Sequence, residues 1–69
     1  MKVSLAAARV NANLTQSEAA ERIGVNRSTL INWENARSYP TIPQIKKIEE
    51  VYHCSYDDIF FDYKSTLSG

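Results

Sequence analysis

Three short segments share one pattern: Thr15-Gln16-Ser17-Glu18, Thr41-Ile42-Pro43-Gln44 and Ser55-Tyr56-Asp57-Asp58. In each, a hydroxyl residue precedes a carboxylate or amide side chain by three positions. That spacing lets the hydroxyl accept from the third helical N–H while the later side chain reaches back to the N–H of the cap. Helices are therefore expected to begin after residues 15, 41 and 55. Ser4 and Asn26 are further cap residues, opening helices before Leu5 and Arg27. Runs alternating β-branched or aromatic residues with polar ones extend no further than a few positions, so no strands are expected.

Such helices must hold together without covalent help. The chain has 69 residues, room for one domain but not two. A chain of this size buries only about 60% of its unfolded surface. Cys54 is the single cysteine and His53 the single histidine, so neither an intrachain disulfide nor a four-ligand zinc site can be built. No metal or other cofactor is expected. The longest apolar run is Leu5–Ala8, too short for a membrane span or the apolar core of a secretory signal. With a free thiol and no export signal, the expected address is the cytoplasm. Close packing of helices is what remains.

The helical faces follow from spacing. Leu5, Ala8, Arg9 and Ala12 share one side of a first helix running from about Ser4 to Asn11 or Ala12. The second helix ends near Ile23, with Ala19, Ala20 and Ile23 inward, and Gly24 follows in a position suited to left-handed backbone. The third runs from Arg27 to about Asn35. Stepping around it places Thr29, Leu30 and Trp33 on one side. Arg27, Ser28, Ile31, Asn32 and Asn35 fall on the other, which apart from Ile31 consists of hydrogen-bonding side chains. Ile42, Ile45, Ile48, Val51 and Tyr52 line a fourth helix. A short fifth helix after Ser55 carries Tyr56, Ile59 and Phe60 inward. The domain spans residues 1–61, and 62–69 read as a polar tail.

Within this order, residues 16–35 form a helix-turn-helix. Ala20 is small where two helices cross, Gly24 supplies the turn four residues later, and Leu30 and Trp33 pin the third helix to the core. Charge agrees with a polyanionic partner for part of the chain. The formal net charge is zero, but residues 1–47 carry seven basic side chains against three acidic, and residues 48–69 one against five. The N-terminal two-thirds is the part suited to meet nucleic acid.

The residues Leu14-Thr15-Gln16, Glu18, Ala20, Gly24-Val25, Ser28-Thr29-Leu30, Trp33-Glu34-Asn35, Arg37 and Pro40 resemble the phage-repressor and Cro-like helix-turn-helix family, often called the XRE family. The resemblance covers roughly Ser4 to Phe61. It implies an all-α fold, a compact five-helix lambda-repressor-like DNA-binding domain whose third helix lies in the major groove. Ala36 departs from the pattern, since the family has Gly after the Glu-Asn pair. The resemblance also implies that Arg9 and Glu34 pair, joining the first helix to the end of the third.

On this reading Arg27, Ser28 and Asn32 are the base-contacting candidates, and Ile31 is placed to touch a thymine methyl. Arg suits guanine O6 and N7, Asn suits adenine, and Ser serves either. Gln16 and Ser17, at a helix N-terminus, are candidates for a phosphate, and Gln16 also for bracing the recognition helix. Asn35, Arg37 and Tyr39 are candidates for the phosphates on the far side. The expected function is a sequence-specific double-stranded DNA-binding transcriptional regulator, a repressor, with a homodimer on an operator as a further possibility through Phe60, Phe61, Tyr63 and Leu67. The alternative is a protein-interaction module on the same fold, antitoxin-like or an adaptor, using the acidic C-terminal third. Neither membrane nor small-molecule ligand is expected. An enzyme is not expected, because the chain has no Gly-rich phosphate loop, metal cluster or acid–base pair in a predictable cleft.

Overall fold

The computed structural model describes residues 2–60. Their order is β1 (Val3–Ser4), α1 (Leu5–Asn11), α2 (Gln16–Ile23), α3 (Arg27–Glu34), α4 (Ile42–Tyr52), a 3-10 turn (Tyr56–Asp58) and β2 (Ile59–Phe60). The fold is all-α in its substance, with four α-helices where five were expected.

Each helix starts where its cap predicts. The Ser4 hydroxyl accepts from the Ala7 N–H at 3.0 Å. At Thr15 both arms of the capping box form: the Glu18 N–H donates to the Thr15 hydroxyl at 3.1 Å, and the Thr15 N–H donates to the Glu18 carboxylate at 2.9 Å. Those bonds hold the Glu18 carboxyl below its ordinary range, the backbone N–H of Thr15 first. Thr41 and Gln44 repeat the arrangement at α4. Asn26 occupies the cap position of α3 without a side-chain bond to its first turn.

Gly24 closes α2 with φ +92°, and both its N–H and that of Val25 donate to the Ala20 carbonyl, at 2.8 and 3.0 Å. A Cβ at Gly24 would meet nothing within 4 Å, so backbone conformation, not space, calls for glycine there.

The core gathers Leu5, Ala8, Leu14, Ala19, Ala20, Ile23, Leu30, Trp33, Ile48, Tyr52 and Ile59. Leu30 and Ile48 are fully enclosed. Thr29, assigned inward with Leu30, is half-buried. Ile42 lies on the spacing of the α4 apolar face, yet it is 68% exposed. It is the first residue of the helix, and periodicity gives direction but not how far a packing partner extends.

The C-terminal end differs most from expectation. Ser55 caps only a three-residue 3-10 turn, in which Tyr56 is exposed instead of inward. The Tyr56 N–H donates to the Glu49 carboxylate at 2.7 Å, tying the turn to α4. The chain then extends. Ile59 is buried, and β2 pairs in parallel with β1, Val3 opposite Ile59 and Ser4 opposite Phe60. Two-residue strands have no period to detect, and a single turn of helix is not stable alone. Phe61, Tyr63 and Leu67, the side chain of Phe60 and the tail from 62 to 69 lie outside the described residues. Among the described residues no helix is long and apolar enough to cross a membrane.

Candidate nucleic-acid interface

The two sides of α3 differ as its sequence requires. Leu30 and Trp33 are sealed in the core, while Arg27, Ser28 and the capping Asn35 are exposed. Ile31 and Asn32, on the same outer side, are half-buried. Ile31 is therefore partly shielded and not an isolated apolar residue in solvent.

Beyond α3 the chain is turned sharply. Ala36 takes φ +60°, the left-handed conformation the glycine of the pattern would adopt freely. The Ala36 N–H donates to the Trp33 carbonyl at 3.2 Å, and the Arg37 N–H to the Asn32 carbonyl at 2.9 Å. These bonds close the helix and fix where exposed Arg37 leaves it. Tyr39 is half-buried and packs against the core, with buried Pro40 after it. Its ring is a structural contact in addition to any role at the surface.

At the other edge of α3, side chains from three helices meet. Arg9 Nε donates to Glu34 Oε2 at 2.7 Å, and Arg9 Nη2 to Glu34 Oε1 at 3.4 Å. Arg9 Nη1 donates to the Leu14 carbonyl at 2.9 Å. The pair is well covered, with side-chain exposures of 14% and 6%. The bond to Glu34 raises the Arg9 pKa still further above neutrality, so the guanidinium stays charged. Gln16, the first residue of α2, extends the network: its Nε2 donates to Glu34 Oε1 at 3.1 Å and its Oε1 accepts from Arg27 Nη2 at 3.4 Å. Spacing revealed that Gln16 and Arg27 each open a helix, but not that they touch. Ser17 is exposed beside Gln16. Both stand in the first turn of α2, where helical geometry leaves N–H groups without intrahelical partners.

Tyr52 stands behind this network and was read from sequence only as core. Its hydroxyl is buried without a hydrogen-bond partner. Burial, and then the negative charge of Glu34, push its pKa well above the ordinary phenol value, so it is a neutral group. Burial likewise raises the half-buried Cys54 thiol, with Asp58 and Glu49 adding to the effect. Cys54 is a thiol at neutral pH and packs as a small apolar residue.

A family model described as helix-turn-helix matches residues 5–59, most of the chain. The chain belongs to the XRE-type helix-turn-helix family. The matched span of this helix-turn-helix protein runs from the first residue of α1 to β2. It is similar to an uncharacterized HTH-type transcriptional regulator of Archaeoglobus fulgidus, 33% identical over 60 residues, covering 87% of this chain and 84% of the relative. An uncharacterized HTH-type transcriptional regulator of Methanocaldococcus jannaschii is 35% identical over 60 residues, covering 87% and 91%. The HTH-type transcriptional activator BcrR of Enterococcus faecalis is 31% identical over 51 residues, 74% of this chain but 25% of that longer protein. No solved structure gave a significant match.

Proposed function

We propose that this helix-turn-helix protein is a sequence-specific regulator of transcription that docks α3 in the major groove of double-stranded DNA and represses by occupancy. The observation that carries the reading is the division of α3: Leu30 and Trp33 anchor it in the core, and Arg27, Ser28, Asn32 and Asn35 edge its outer side. Arg27 and Ser28 stand at its start, where a groove-docked helix reaches base edges, and Asn32 follows one turn later. Ile31 borders them at the height of a thymine methyl. The first turn of α2, with Gln16 and Ser17, faces one phosphate strand. Asn35 and Arg37, with Tyr39 behind them, hold the other. Bound across a promoter, the domain blocks polymerase, acting in the cytoplasm where the DNA lies.

One helix of this length reads only a few base pairs. Two copies on half-sites about 34 Å apart would supply useful specificity. The decisive experiment is selection of binders from a random duplex library at about 150 mM salt, where non-specific binding is weak. The Arg27→Ala, Asn32→Ala double variant is run in parallel. An enriched motif that the variant loses is the expected result, and a palindromic motif gives the dimer spacing. A folded protein that enriches nothing overturns the reading and directs attention to a protein partner at the acidic C-terminal third. Because BcrR is named an activator, a promoter–reporter assay with the selected motif must show the direction of control. Lower output with the protein present is expected, and higher output would replace repression with activation.

A further inference from the structure

The C-terminal ends of α1 and α4, with β1 and the 3-10 turn, enclose a cleft of about 510 Å³. That volume lies within the range of small-molecule sites, about 300–1,000 Å³. No described residue of α2 or α3 lines the cleft, so it is separate from the outer side of α3. Val3, Ala12 and Tyr52 supply apolar surface, and Asn13, Cys54 and Asp58 supply polar groups. Two chain corners reach it through left-handed backbone, with φ +63° at Asn13 and +54° at His53. Backbone of this kind in residues other than glycine clusters at functional sites and ligand clamps. The charge at the cleft has one sign. Among the described residues neither lysine nor arginine lines it. Asp58 Oδ2 accepts from the Ser55 N–H at 3.3 Å, and its other oxygen has no hydrogen bond among the described residues. The field at Cys54 is negative as well: after burial, Asp58 and Glu49 are what raise its thiol.

We propose that this cleft binds a small organic cation, an ammonium compound with an apolar body: the body lies against Val3, Ala12 and Tyr52, and the ammonium group meets the Asp58 carboxylate. A neutral molecule of the same shape would gain the apolar contact without the ion pair. An anion would face Asp58 with no lysine or arginine to offset it. Asp58 is exposed, so the ion pair adds selectivity to an affinity that comes mainly from apolar burial. Occupancy leaves Arg27, Ser28 and Arg37 uncovered, and the site stands whether or not α3 docks in DNA.

The test uses phenethylamine as the cation, 2-phenylethanol as its neutral counterpart and 3-phenylpropanoate as the anion. Each is titrated into the full chain at pH 7 and constant ionic strength, and backbone amide shifts are followed by NMR. Phenethylamine should give saturable shifts at Asn13, His53 and Cys54 with a Kd of about 1 mM, a scale suited to so small a ligand. The alcohol should bind about threefold more weakly, the scale of an exposed ion pair, and the acid more weakly still. Asp58→Asn keeps an oxygen for the Ser55 N–H and should erase the preference of amine over alcohol. Cys54, the single cysteine, gives a second readout in the unaltered protein. Its reaction with a cationic methanethiosulfonate should outpace that with an anionic one by more than the ratio measured for free mercaptoethanol, and phenethylamine should slow both. Equal affinity for amine and alcohol, or a labelling ratio no greater than that of mercaptoethanol, would remove the cation preference and overturn the proposal. Shifts confined to Glu50 and Asp57, with none at Asn13 and Cys54, would mean loose association with surface carboxylates and would overturn it too.

Discussion

Ala36 carries a cost that one atom explains. Its Cβ stands on a backbone with φ +60°, a conformation that disfavours non-glycine residues by about 1–2 kcal/mol. Glycine would remove that strain but loosen the unfolded chain by about 0.4–1 kcal/mol. Ala36→Gly should therefore raise stability by about 0.5–1 kcal/mol, read as a higher urea midpoint at unchanged slope. Tyr52 is the second residue that works against the fold. Its buried hydroxyl has no partner, and an unsatisfied buried group costs about 1–3 kcal/mol. Tyr52→Phe should leave stability equal or higher at neutral pH. The sign at high pH follows from burial, which raises its pKa in the folded state. The unfolded phenol begins to ionise near pH 10, at about its ordinary value. As pH rises past that value the unfolded phenol ionises while the buried one stays neutral, so the native state of the wild type loses stability there. Urea melts at pH 7 and above pH 10 should show a smaller alkaline loss for Tyr52→Phe than for wild type.

The start of α2 links a cap to an interface. Thr15→Ala removes the hydroxyl that accepts from Glu18, at a cost of about 1 kcal/mol. Thr41→Ala removes the matching bond in α4 at a similar cost. Only the first variant disturbs the helical turn that carries Gln16 and Ser17. Both should lower the melting temperature by a similar amount, but only Thr15→Ala should weaken DNA binding at a temperature where both are folded. An equal loss of binding in the two would remove α2 from the interface. This difference also marks what the sequence made legible. Hydroxyls, carboxylates and Gly24 encode helix starts and stops locally, so α1 to α4 fall where those residues place them. The Ser55–Asp58 capping box does mark the start of the 3-10 turn, but the β1–β2 pair joins the two ends of the described chain, where Ile59 enters the core. Nothing within a few positions of Ser55 specifies that the helix stops after one turn and gives way to a strand. The same holds for the candidate site. Spacing alone separates the outer residues of α3 from Leu30 and Trp33. The Arg9–Glu34 pair was legible only through resemblance; that Gln16 braces the third helix was an expectation, but its partners were not, because they lie 18 and 11 positions away.

Across the molecule, the uneven charge decides how a neutral chain can meet a polyanion. Seven of the eight basic residues lie in positions 1–47, and five of the eight acidic ones follow position 47. Arg27 and Arg37 lie at opposite ends of α3 and its following turn, both exposed. If both reach DNA, they do different work. Each phosphate neutralised by a cation releases counterions, and the logarithm of affinity falls with the logarithm of salt by about 0.9 per contact. Removing a phosphate-binding charge must lower that slope by about 1 and weaken all sequences alike. Arg37→Ala should do this on both the selected and a scrambled duplex. Arg27→Ala should act mainly on the selected duplex, losing about 1–3 kcal/mol there. Fluorescence anisotropy across a salt series measures both quantities. If the charge split along the sequence is also a split in space, the wild-type affinity should rise steeply as salt is lowered. A flat salt dependence would mean that the acidic third cancels the basic surface at the binding distance, and the charge asymmetry would then have no part in recognition.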